Sequence, residues 1–503
     1  MNSGNDRERF EQEPVRRVEA SWFWGGGSLS GYLLGCWVSL LSVASADWPH
    51  FRGPNYDGSS PAVALPERFS QTENVRWSLP LSGPSAATPI VVGDRIFLAS
   101  TDLGQQQLLA MCVDRRTGKL LWQDVIADSI RRDTRSTYAA PSPVSDGERV
   151  IFFFGNGLLI SYDLAGNRQW ETDLGPFAFL WTFSSSPLLH DGRLIMQILQ
   201  RDVPVGPRGG GRRGAGGRRE RPSRRVLDAD PNRPAAERAS RDLGDADTAE
   251  TPEETAEGIP SYLLALDPAT GESLWRQPRD TEAVGESREA FSSPIPVSTP
   301  DGEQLLVAGG DYLTGHDPAT GQELWRWGTW NPERISHWRL VPSPVAGGGV
   351  ILLCAPKREP VFALDLGLTG NLPVEAARWD SSQSREVSSD VPTPAYYDGD
   401  FFVLSDVRGL ISRVDPATGQ VKWSVRTPGR AKYEASPTVA DGKVFIVNFD
   451  GQVSLLRADD GRLIATIDME PELETDEVVR SSIVALDGEL LIRTNTRLWA
   501  IGE

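Results

Sequence analysis

A five-residue phrase that recurs along the chain constrains its architecture more than any other feature. Asp267-Pro268-Ala269-Thr270-Gly271 returns at 317–321 and 415–419, and a tryptophan follows each glycine by four residues: Trp275, Trp325 and Trp423. Looser copies end at Gly118 and Gly166, ahead of Trp122 and Trp170. With Gly370 and Gly461 added, the marker glycines stand 42 to 50 residues apart, except for one gap of 105 after Gly166. A period of this size means repeated supersecondary units, each burying its apolar face against its neighbours.

The grammar within one period is that of a four-stranded sheet. A Ser/Thr-Pro pair opens it, as at Ser142-Pro143, Ser186-Pro187, Ser293-Pro294, Ser343-Pro344, Thr393-Pro394 and Ser436-Pro437. A turn follows within a few residues, usually Asp-Gly, as at Asp146-Gly147 and Asp441-Gly442. Asp-Gly between apolar runs is a strong hairpin signal, because both turn residues need φ > 0. A β-branched and aromatic run, a third run and the tryptophan strand complete the unit. Four strands per period without long helical crossovers predict an all-β fold, a β-propeller of four-stranded antiparallel blades. The tryptophans then pack between blades.

Seven marker glycines predict seven blades. The remainder, 478–503, supplies three more strands, and Asn74–Leu79, with Trp77 at the tryptophan register, supplies the missing fourth. The ends are therefore expected to meet in an eighth blade closed by the N-terminal strand, which removes the open sheet edge. Residues 47–503 form one propeller domain on this reading.

The first 46 residues read as a signal peptide or, uncleaved, as a membrane anchor. A charged stretch precedes an apolar run that ends Ala44-Ser45-Ala46. Leu33-Leu34-Gly35-Cys36 is a loose lipoprotein cleavage match. The expected location is the periplasm or cell envelope. Net charge is −18, and the leader holds four Arg and five acidic residues, which leaves −17. Such a domain repels nucleic acid. Cys112 and Cys354 fall in blades opposite each other, too far apart for a disulfide.

Residues 201–258 are read as an insert in blade 3, between its second and third strands. They are Arg/Gly-rich and then acidic, a composition that cannot bury a core and predicts disorder. The Gly209, Gly211, Gly214 match to a dinucleotide fingerprint has neither the preceding strand nor the following helix.

Chemistry-bearing motifs are sparse. Four His lie in separate segments, and no zinc, haem-attachment, nucleophile-elbow or P-loop pattern is present. No catalytic residue and no metal ligand is assigned. Function is expected at the central funnel and in the loops entering the innermost strands. There, ahead of the Ser/Thr-Pro pairs, stand Tyr138, Trp181, Arg288, Glu289, Trp338, Arg339, Lys432, Tyr433 and Arg480, together with Phe183 and Glu434. The loop Gly328–Leu340, with Trp330, His337 and Trp338, is the most aromatic stretch outside the strands. Aromatic and arginine side chains on a rigid frame are what a binding hot spot uses.

The stretch Ala265-Leu266-Asp267-Pro268-Ala269-Thr270-Gly271, continuing to Leu274-Trp275-Arg276, resembles the PQQ-like repeat of eight-bladed quinoprotein-type propellers. The opening Asp47-Trp48-Pro49-His50-Phe51-Arg52-Gly53-Pro54 resembles the start of exported PQQ-repeat proteins of planctomycete-type bacteria. Two functions follow from the resemblance. One is a non-catalytic binding or scaffold propeller, similar to the scaffold lipoprotein of the outer-membrane β-barrel assembly machinery. It would be a monomer, need no cofactor and hold envelope proteins through its loops, with the N-terminal segment as a route to the membrane. The alternative is a dehydrogenase that uses PQQ and Ca to oxidise an alcohol or sugar. Its family carries a vicinal Cys-Cys pair over the cofactor, which this chain lacks.

Overall fold

A computed structural model describes residues 47–131, 135–202, 259–384, 386–470 and 478–503. The leader and nearly all of the insert lie outside the described residues, and so do the readings made of them. Among the described residues no helix is long and apolar enough to cross a membrane.

Among the described residues the strands form eight sheets, seven antiparallel ones of four strands and one of five whose last strand pairs in parallel. Blade 8 combines Val484–Leu486, Glu489–Arg493 and Arg497–Ile501 with the N-terminal strand Val75–Pro80, and Trp77 lies opposite Ala500. The predicted closure is therefore present. Blade 3 runs Leu188–His190, Arg193–Ile198, Tyr262–Leu266, Ser273–Pro278, with the sequence from 199 to 261 joining its second and third strands. The Ile259 amide donates to the Asp202 carbonyl at 2.7 Å, which holds the two ends of the insert together.

The repeated phrase acts between blades. Its glycine has φ near +70° in most copies and lies flat under the tryptophan of the preceding blade. A Cβ on Gly118, Gly166, Gly271, Gly321, Gly419 or Gly461 would come within 2.7 Å of the indole of Trp77, Trp122, Trp170, Trp275, Trp379 or Trp423. The indole N–H then donates to a carbonyl of the same turn: Trp77 to Arg115 at 2.7 Å, Trp170 to Pro268 at 2.9 Å, Trp379 to Pro416 at 2.7 Å and Trp423 to Ala458 at 3.0 Å. Only glycine provides both the left-handed backbone and the close approach.

One marker differs from the sequence reading. Gly370 does not open the outer strand of blade 5. It begins Gly370–Leu372, which pairs in parallel with Trp325–Trp327 as the fifth strand of blade 4. The outer strand of blade 5 is Trp379–Asp380, nine residues later, and Trp379 lies opposite Ala363. The turn here lacks the Asp-x-x-Thr-Gly geometry, so the chain detours before it returns to its own blade.

The Ser/Thr-Pro pairs form a second, inner ring. Proline holds the preceding residue extended, and that residue's amide points at the hydroxyl of the next blade. Thr88 N donates to Ser142 Oγ, Ser142 N to Ser186 Oγ, Ser186 N to Ser293 Oγ and Ser293 N to Ser343 Oγ. Ser343 N, Thr393 N and Ser436 N continue to Thr393 Oγ1, Ser436 Oγ and Ser482 Oγ, and all seven distances lie between 2.8 and 3.1 Å. The last gap is bridged by Ser481 Oγ donating to the Ala87 carbonyl at 2.9 Å.

Residues 47–60 cross the axis below this ring. Trp48 exchanges backbone bonds with Val91 of blade 1, and the Pro49 carbonyl accepts from Ser145 of blade 2. Tyr56 Oη reaches the Leu189 carbonyl of blade 3. Asp57 and Gly58 accept from Tyr396 and Val439 of blades 6 and 7. The buried Arg52 guanidinium donates to the Pro394 and Pro437 carbonyls at 2.9 Å each. The segment closes the channel with the chain's own backbone.

Candidate functional site

Above this plug lies a cavity of about 160 Å³, floored by Phe51 and lined by residues contributed from around the ring, including every acceptor hydroxyl of the inner ring. Trp181, Phe291, Val341 and Val391 form apolar wall, and Arg135, Arg339 and Arg480 bring positive charge. Glu434 is the one acidic side chain among these lining residues. Burial pushes its carboxyl up, but Lys432 and Arg480 outweigh burial and hold it below the usual carboxylate range. Lys432 Nζ lies 2.8 Å and Arg480 Nε 2.9 Å from it. Lys432 also pairs with Asp406 at 3.0 Å.

On the other side of the mouth three loops interlock. The 3-10 turn Gly285–Arg288 carries Glu286, which accepts from Trp181 Nε1 at 3.1 Å and pairs with Arg339 at 3.3 Å. Ser287 N donates to the Ser336 carbonyl at 3.1 Å and Ser287 Oγ to the Ile335 carbonyl at 2.5 Å, while Trp338 N donates back to Ser287 Oγ at 2.7 Å. Fully buried Glu289 pairs with Arg201 and accepts from Leu180 N. Burial raises its carboxyl to about 7 against the Arg201 contact. That carboxyl is not part of the cavity lining and ties Arg201 to the Leu180 amide at the loop junction.

The predicted residues thus divide three ways. Trp181, Arg339 and Arg480 line the cavity, and Lys432 buttresses Glu434 within it. Glu289 and Trp338 belong to the interlocked loops, and Arg288 stands at their edge, 4.0 Å from Asp202. Tyr138 and Tyr433 are not in the cavity. Tyr138 packs between blades 1 and 2, and Tyr433 is buried with its hydroxyl bonded to Pro428 O and Ser454 Oγ. Their aromatic bodies fill the wedge between sheets.

Sequence reasoning missed Phe51, Arg135, Phe291, Val341 and Val391. Phe291, Val341 and Val391 each stand two residues before the Ser or Thr of a Ser/Thr-Pro pair, closer to it than Arg339, which stands four before Ser343. Nothing local marks Phe51 or Arg135, because their approach to the axis is set by long-range contacts.

A family model described as outer membrane protein assembly factor BamB matches residues 69–196 and 372–501, just over half of the chain. The chain belongs to this PQQ-like-repeat propeller family. The unmatched stretch between contains both Gly285–Arg288 and the loop Gly328–Leu340. No curated protein matches the chain. Among solved structures, a europium-containing methanol dehydrogenase is similar at a TM-score of 0.60 and 9% identity, covering 91% of this chain and 98% of that one. BamB from Moraxella catarrhalis gives 0.51 and 12%, covering 85% and 96%. The quinohemoprotein alcohol dehydrogenase from Comamonas testosteroni gives 0.55 and 13%, covering 91% and 80%. At these identities the likeness is one of fold.

The residues present do not fit calcium-bound PQQ. Among the described residues no three His, Cys, Asp or Glu side chains converge to hold a metal ion. Glu434, the acid in the cavity, is already held by two cations. Cys112 and Cys354 are free and buried in separate blades, where burial raises the Cys112 thiol to about 12 and Cys354 higher still.

Proposed function

We propose that the chain is an exported, non-catalytic binding propeller of the cell envelope, and that a component of outer-membrane protein assembly docks on its interlocked loops. One observation carries this reading: the loop above the mouth is preorganised and presents an exposed crown. Asn331, 1% exposed, donates through Nδ2 to both Asp311 carboxylate oxygens at 3.1 and 3.0 Å and to the Ile335 carbonyl at 3.0 Å. Its Oδ1 accepts the Ile335 amide at 2.8 Å. Trp330 is buried beneath, while Pro332, Glu333, Arg334, Ser336 and His337 stand exposed. A loop already held in its bound shape loses little conformational entropy when a partner lands. The crown lies in the stretch outside the family match, and the family's description as an outer-membrane protein assembly factor supports the class of partner.

The test is affinity capture from an envelope extract of the source cell, with wild type beside the triple variant Glu333→Ala, Arg334→Ala, His337→Ala. An outer-membrane assembly component is expected to co-purify with wild type and to fall about tenfold with the variant, as for a hot-spot loss of over 1 kcal/mol. Equal capture by both proteins rejects the crown as the docking surface. Saturable PQQ and Ca²⁺ binding with alcohol-dependent dye reduction would reject the binding reading itself.

A further inference from the structure

We propose that the axial cavity is a receptor for a small oxyanion, a carboxylate or phosphate group held by the hydroxyl ring. A serine or threonine hydroxyl has one proton to donate and lone pairs to accept. In each of the seven ring hydroxyls a lone pair is taken by the amide of the neighbouring blade. None of the seven protons has a protein acceptor among the described residues. All seven residues are buried, and all seven line the cavity. The ring therefore turns its acceptors outward into the blades and leaves donors facing the axis. A group rich in lone pairs satisfies such a ring, and a metal cation does not.

Charge points the same way. Beneath the Phe51 floor, buried Arg52 bonds two carbonyl oxygens, and its Nε and Nη1 have no hydrogen-bond partner among the described residues. Arg135, Arg339 and Arg480 stand at the walls and mouth. Arg480 engages Glu434 through Nε alone, and neither of its terminal nitrogens is hydrogen-bonded among the described residues. Glu434 offsets part of Arg480 and Glu286 part of Arg339, but three arginines stand against one carboxylate in the lining, so in a chain of net charge −18 the axis still favours an anion. Phe291 and Val391 leave an apolar wall for a small hydrocarbon body.

This inference does not depend on a protein docking at the crown, and its variants leave the crown intact. Inorganic phosphate and benzoate are titrated calorimetrically into the mature chain up to ~10 mM, beyond the millimolar affinity class. The preferred probe shows whether the natural head group is phosphoryl or carboxylate, and saturable 1:1 binding of either supports the site. Ser343→Ala removes one donor and is expected to weaken binding about tenfold, as for a hydrogen bond to a charged group. Ser343→Thr keeps the hydroxyl, as Thr393 does naturally, and is expected to bind as wild type. Should Ser343→Ala fail to fold, Arg480→Gln decides, with an expected loss of about tenfold. No saturable binding of either probe overturns the proposal, as does wild-type affinity in both Ser343→Ala and Arg480→Gln.

Discussion

Two kinds of blade junction coexist in this ring. At the junctions from blade 8 to 1, 1 to 2, 2 to 3, 5 to 6 and 6 to 7, a tryptophan stacks on the next blade's glycine and its indole N–H finds a turn carbonyl. At two junctions the clasp is missing, and each is filled by a detour of the chain. Between blades 4 and 5, Trp325 turns inward to Gln304, the parallel strand Gly370–Leu372 covers the edge, and Trp327 Nε1 donates to the Val374 carbonyl. Between blades 7 and 8, where Ala465 replaces the tryptophan, Ala62, Leu65 and Phe69 pack into the core shared by the two sheets. Leu65 N and Val63 N bond the turn carboxylates of Asp441 and Asp487. The junction from blade 3 to 4 is intermediate: Trp275 stacks on Gly321, but its Nε1 has no partner. A wedge between sheets must be filled; which chain segment fills it is negotiable.

Starting the chain at Asn74 breaks the 7-to-8 junction most severely. It removes buried Trp48, Leu65 and Phe69, each worth about 2 kcal/mol of apolar burial, and it opens the axis. Loss of a cooperative thermal transition, or a midpoint far below wild type, is expected; an unchanged melting curve would show that the segment is dispensable.

A glycine pair sharpens the comparison. Gly419 and Gly370 share φ near +70°, yet a Cβ meets the Trp379 indole at 2.7 Å in the first and nothing within 4 Å in the second. Gly419→Ala is expected to cost about 3 kcal/mol, from backbone strain and overpacking together. Gly370→Ala carries only the backbone part, about 1 kcal/mol. Urea midpoints of the two variants measure the difference, and equal values would mean that the clasp contributes nothing.

A separate effect concerns pH. His50 in the plug stacks on Tyr56 at 3.8 Å, and His316 in blade 4 bonds Thr314 and Gly321. Burial lowers both from 6.5 to about 4. Between those values the unfolded chain takes up protons that the native one refuses, so stability falls as pH drops from 6.5 towards 4. At pH 5 each contributes a loss of about 2 kcal/mol. His50→Phe keeps the stacking and is expected to recover its share at pH 5 while changing little at pH 8. An identical urea-midpoint profile against pH for wild type and variant would remove His50 from the account.

The period written by Gly118, Gly166, Gly271, Gly321, Gly370, Gly419 and Gly461 determined the propeller, its eight blades and the closing role of Trp77, with Gly370 counting correctly although its strand belongs to blade 4. That information is local: it consists of turn residues, alternating strands and one aromatic per repeat. Of the residues read from their position before a Ser/Thr-Pro pair, Trp181, Arg339 and Arg480 line the axial cavity and Lys432 stands behind Glu434. Tyr138 and Tyr433, read by the same rule, pack between sheets instead, because one residue along a strand entrance decides between the axis and the wedge. Only the tertiary structure decided that Arg52 and Phe51 close the channel and that Gly370 serves a neighbouring blade. It alone joined the Ser/Thr hydroxyls into a ring of amide acceptors around the axis. Each of those outcomes joins residues up to several hundred positions apart, and the free energy that selects them is burial and hydrogen bonding between segments, which no local pattern records.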